Sequence, residues 1–72
     1  MATRHPQRYR RMLRRLREAR TEAGLSQVQV AARLKVSQIF VSRVETGERR
    51  IDPVELLEFA TLYGKPVMFF LE

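Results

Sequence analysis

An all-α fold is what this sequence predicts, on three observations. Apolar residues recur at steps of three and four, capping residues stand just ahead of each apolar stripe, and no stretch alternates with the period of two that a strand needs. The chain has 72 residues, room for one small domain and not for two. Aromatic residues make up 8% with no Trp, so the core must come mostly from Leu, Val, Ala and Met.

The first helix is expected to start near Pro6, because proline suits the first helical position. Its apolar stripe is Tyr9, Met12, Leu13, Leu16, Ala19 and Ala23, with arginines on the other faces and Gly24 at the stop. The second starts at Ser26, which stands at capping-box spacing from Gln29, and turns Val30, Ala31 and Leu34 inward. The third runs from Ser37 to about Thr46, with Val36 and Val41 at hydrophobic-staple spacing and Gly47 as its end. Asp52-Pro53-Val54-Glu55 announces the fourth: an N-cap acid, a proline at the first position and an acid at the third. Its core residues are expected to be Val54, Leu57, Ala60 and Leu62, ahead of a stop at Tyr63-Gly64. A last turn after Pro66 should face Val67, Phe70 and Leu71 inward. The division is a basic tail over residues 1–8 and one folded domain over 9–72.

Composition excludes several classes of function. There is no Cys and a single histidine, His5, in the expected tail, so disulfides, thiolate or His-based metal sites and a His acid/base pair are not expected. No catalytic constellation and no cofactor motif is present, so an enzyme is not expected. No apolar run approaches the roughly 20 residues of a membrane span, and nothing resembles a signal peptide. The formal net charge of +6 implies a polyanionic partner, with nucleic acid first and an acidic membrane or protein second.

The stretch from Gln27 to Val44 is the informative one. Two short capped helices joined by a turn of about three residues form a helix-turn-helix, whose second helix enters the DNA major groove. Ala31 is small where the helices must cross, and Val30, Leu34, Val36, Val41 and Val44 can share an apolar seam. With Val41 and Val44 inward, Ile39 and Arg43 lie at the centre of the opposite face, flanked by Ser42, Thr46 and Phe40, while Gln38 sits at the N-terminus. Gln38 has the chemistry to bond adenine, Arg43 to bond guanine and Ile39 to cover a thymine methyl. Packing under a neighbouring loop is the other reading for Ile39 and Phe40.

The segments LREARTEAGLSQVQVAARL, VSQIFVSRVETGERR and VELLEFATLYG carry a resemblance that covers Leu13 to Leu71, nearly the whole chain. It is to the Cro/lambda-repressor-type (XRE-type) helix-turn-helix DNA-binding domains. The resemblance implies a compact five-helix lambda-repressor-like domain that binds double-stranded DNA. It places Gln27 on a phosphate and Ser37, Gln38, Ile39 and Arg43 toward bases, with Ser42 near the backbone or a base edge. It also implies a partly buried ion pair between Arg20 and Glu45, and a loop, Gly47 to Arg50, that offers N–H groups, Arg49 and Arg50 to phosphate. Lys35 departs from the glycine usual in that turn; it implies strain of about 1 kcal/mol and a further phosphate contact.

Met68 and Phe69 stand where the family is often polar. A two-fold dimer on a palindromic operator would explain them, and so would completion of the core. The arginines between Arg4 and Arg20 fit either a DNA-backbone arm or a solvated helix face. The resulting expectation is a transcriptional regulator, most simply a repressor, homodimeric, without cofactor or metal, in the cytoplasm on the nucleoid. The alternative is an antitoxin-like protein that binds a partner toxin and represses its own operon. Membrane binding by the basic first helix ranks below both, because its apolar stripe is needed for the core.

Overall fold

The computed structural model describes residues 4–72; the first three residues of the expected tail lie outside the described residues. Five helices follow one another: α1 (Pro6–Glu22), α2 (Gln27–Leu34), α3 (Gln38–Thr46), α4 (Pro53–Tyr63) and α5 (Val67–Leu71). Among the described residues there is no strand.

Each boundary has a chemical cause. Ser26 Oγ accepts from the Gln29 amide at 3.1 Å while Gln29 Oε1 accepts from the Ser26 amide at 2.9 Å. Asp52 and Glu55 do the same for α4, at 2.7 and 3.0 Å. Ser37 accepts from the Phe40 amide and starts α3. Such caps satisfy N–H groups that have no partner within the helix. Lys35 closes α2 in the left-handed region, at φ 59°, a conformation that costs a side-chain-bearing residue about 1 kcal/mol. Gly47 closes α3 at φ 86°, and a Cβ there would lie 3.1 Å from Leu13 Cδ1. The backbone conformation therefore favours glycine, and a side chain there would also push Leu13 aside by a few tenths of an ångström.

The core is one cluster. Leu16 and Ala19 of α1, Val30 of α2, Val41 and Val44 of α3, Phe59 and Ala60 of α4, and Phe70 of α5 are almost wholly enclosed. α1 runs behind the others and packs against α3, α4 and α5, and α2 packs against α3. The α2–α3 pair is thus braced from behind by the longest helix of the domain.

Three expectations about facing are corrected. On α4 the inward stripe is Leu56, Phe59, Ala60 and Tyr63, whereas Val54 and Leu57 are 68% and 54% exposed and Leu62 is half-buried. Phe59 and Tyr63, at ring centroids 6.0 Å apart, are the aromatic side chains of α4, and their burial favours this roll of the helix. On α5 only Phe70 is buried; Val67 is half-buried, and Leu71, at the last position of the helix, is exposed. Ala23 is the C-cap of α1 and exposed, and Leu25, just beyond the helix, is buried in the core.

Candidate nucleic-acid interface

α3 divides into two faces. Val41, Val44 and Glu45 are buried, while Ser37, Gln38, Ile39 and Arg43 are exposed and Ser42 is half-buried. Ile39 is 58% exposed. Ile39, Arg43, Ser37 and Arg49 line one open groove of about 400 Å³ along the outer face.

The buried end of α3 is held by a polar relay. Glu45, 2% exposed, accepts from Arg20 Nε at 2.7 Å on Oε2. Its Oε1 accepts from Arg20 Nη2 at 3.3 Å and from Gln27 Nε2 at 3.0 Å. Arg20 also donates to the Leu25 carbonyl at 3.0 Å, and Arg17 donates to the Glu45 carbonyl at 2.8 Å. A carboxylate only accepts, so Gln27 must turn its amide nitrogen toward Glu45 and keep its oxygen for the next residue. That oxygen receives Gln38 Nε2 at 3.1 Å. Gln38 is left with its own oxygen and one N–H for an outside partner, the acceptor-and-donor pair that the adenine edge matches.

Tyr63 is 7% exposed, and among the described residues no group accepts a hydrogen bond from its hydroxyl. Its pKa is raised, first by burial and next by the Glu45 carboxylate, with Arg20 opposing. The relay and the aromatic end of α4 therefore share one weakly solvated interior.

The loop after α3 is fixed from both sides. Arg49 lays its guanidinium 4.4 Å from the Phe40 ring centroid and forms a two-bond fork with Glu55, at 2.9 and 3.0 Å. The bond to Glu55 is the main cause that raises the Arg49 pKa. Phe40 in turn stacks on Phe59, with centroids 6.4 Å apart. Phe40 is thus half-buried between Phe59 and Arg49, and it also lines the outer groove that Ile39 and Arg43 border. Arg50 lies 4.7 Å from the Tyr9 ring centroid, and Tyr9 Oη accepts from the Ile51 amide at 3.2 Å. Lys35 is exposed at the turn between α2 and α3.

Three participants escaped the sequence reading. Arg17 was legible only as one arginine among many, Glu55 only as a helix cap and Tyr9 only as part of an apolar stripe. Far from this face, Met68 is 60% exposed on α5. Phe69 is half-buried edge-to-face on Phe70, with the cations of Arg15 and Lys65 at 5.3 and 4.9 Å from its centroid.

Residues 9–67 match the family model described as a helix-turn-helix domain. The chain belongs to the helix-turn-helix domain family. The match spans α2, α3 and α4 whole, α1 from Tyr9 onward and only the first residue of α5, and it agrees with the Cro/lambda-repressor-type resemblance. A helix-turn-helix domain makes the chain a DNA-binding regulator. No curated protein and no solved structure matches the chain in the corresponding comparisons. Among the described residues no helix is long and apolar enough to cross a membrane.

Proposed function

We propose that this helix-turn-helix protein is a sequence-specific transcriptional repressor that reads the major groove of double-stranded DNA with α3. The observation that carries the reading is the exposed edge of Gln38, Ile39 and Arg43 on a helix whose other face is locked into the core. Gln38, held by Gln27, reads an adenine; Arg43 reads a guanine; Ile39 covers a thymine methyl. Ser37 and Ser42 add contacts at the groove edge, and Phe40 acts mainly by seating Arg49.

Gln27, Lys35, the Gly47 amide, Arg49 and Arg50 hold phosphates on the two sides of the groove. The Arg49–Glu55 fork keeps Arg49 extended along the loop before DNA arrives, so less side-chain entropy is lost on binding. Two copies joined through Met68, with Phe69 beside it, bind a palindromic operator. Occupation of a promoter excludes polymerase, so repression requires nothing beyond binding. The working location follows the DNA: the cytoplasm, on the nucleoid.

Selection of bound duplexes from a random library at near-physiological salt tests this reading. Recovery of one motif supports it. Recovery of none, with binding lost at moderate salt, leaves only electrostatic affinity and overturns it. Arg43→Ala should then cost about 1–3 kcal/mol at one base pair of the motif and relax the preference there. Equal weakening on all duplexes would remove Arg43 from base reading.

A further inference from the structure

We infer that Arg10 and Arg14 on α1 form a second phosphate track that continues the α3–α4 loop along the duplex; the inference rests on the proposed DNA-binding reading. The arginines at 10, 14 and 17 are spaced i, i+4, i+7 and so share one face of α1. That face looks onto the end of the recognition helix. Arg10, Arg14 and Arg17 line a groove of about 360 Å³ with Glu45 and Thr46. Arg10 also borders a second groove, of about 390 Å³, whose far wall includes Gly47 and Arg50. The two grooves meet at Arg10 and Leu13, so the arginine face and the loop make one continuous surface.

This surface is held in place. Leu13 packs beneath Gly47, Tyr9 bonds the Ile51 amide, and Arg17 bonds the Glu45 carbonyl at 2.8 Å. Arg10 and Arg14 are exposed, and among the described residues neither forms an ion pair. Of the acids on the two grooves, Glu45 is engaged with Arg20 and Gln27, and Glu48 accepts from the Thr46 hydroxyl rather than from Arg10 or Arg14. Cations without carboxylate partners, beside a loop that meets phosphate, are neutralised by small ions until DNA displaces them. Arg8 differs. It borders a groove on the α5 side with Met12 and Leu71, away from the loop.

The test is the salt dependence of binding for the full chain on two fluorescent duplexes of about 30 base pairs, one carrying the selected motif and one scrambled. Arg10→Gln/Arg14→Gln is compared with wild type and with the charge-matched Arg8→Gln/Arg11→Gln. Two lost phosphate contacts should make the slope of log K against log salt shallower by about 1.8. Between 50 and 200 mM salt, the variant should then lose roughly tenfold less affinity than wild type. The control pair should move the slope by much less, and the motif-to-scrambled ratio should stay at the wild-type value. An unchanged slope, or equal changes in the two double variants, overturns the track. If wild type does not distinguish the duplexes, sequence reading fails, while the slopes on the scrambled duplex still decide the track.

Discussion

Replacement of Glu45 by Ala probes the joint between α1 and α3. The Glu45 side chain is 3% exposed and that of Arg20 is 19% exposed. Loss of the carboxylate removes both of its bonds to Arg20 and its bond to Gln27, while Arg20 keeps only the Leu25 carbonyl. Stranding one partner of a buried pair costs about 3–5 kcal/mol. The surviving bond and the partial exposure of Arg20 place this case at the low end, about 3 kcal/mol. In a domain of this size each kcal/mol moves Tm by about 4–8 °C, so thermal denaturation should show a fall of about 12–24 °C. The double variant Arg20→Met/Glu45→Leu should recover most of the loss, because no unpaired charge remains. A single variant that melts within about 4 °C of wild type would refute the reasoning. A double variant as unstable as the single would assign the loss to packing instead.

Other expectations follow from the same contacts. Lys35→Gly relieves the left-handed strain and should raise stability by about 0.5–1 kcal/mol in urea unfolding. If Lys35 meets a phosphate, the same change makes the salt slope shallower by about 0.9; an unchanged slope removes that contact. Tyr63→Phe deletes a buried hydroxyl from which no group among the described residues accepts, and should be neutral or stabilising by about 1 kcal/mol; marked destabilisation would reveal a bond the phenol makes. The Tyr63 pKa is raised in the folded state, so its contribution is fully present below the unfolded value near 10 and is lost as pH rises beyond it. Alkaline loss of stability should accordingly be shallower in Tyr63→Phe than in wild type. Met68→Asp should weaken self-association in sedimentation equilibrium without changing monomer stability, and an unchanged dimer would place the interface elsewhere.

Helix boundaries were legible because their signals are local. Ser26 with Gln29, Ser37, and Asp52 with Glu55 act within four residues of themselves, and proline and glycine punctuate on the same scale. Facing was less legible where a helix is apolar nearly all round. On α4, Val54 and Leu57 make one stripe and Leu56, Phe59, Ala60 and Tyr63 another, and periodicity cannot choose between them. The stack of Phe40 on Phe59 does, and it joins residues that no local rule connects. The same holds at the interface. Exposure of Ile39 and Arg43 could be read from a helical wheel, and the Arg20–Glu45 contact was expected only because of the family resemblance. The bond from Gln38 to Gln27 and the fork from Arg49 to Glu55 needed tertiary structure, because each side chain has several partners within reach of its sequence position.

The two faces of α3 bear on how such a protein changes its target. Val41, Val44 and Glu45 carry the attachment to the rest of the domain, and Ile39 and Arg43 carry none of it. Under the proposed reading, substitutions at 39 and 43 change the preferred operator with little risk of unfolding the chain. Position 38 is less free, because its side chain ends a bonded series that begins at Arg20. Divergence from a common ancestor should accordingly be fast at 39 and 43, slower at 38, and slowest at 45, where a change in the reading helix also loosens the helix behind it.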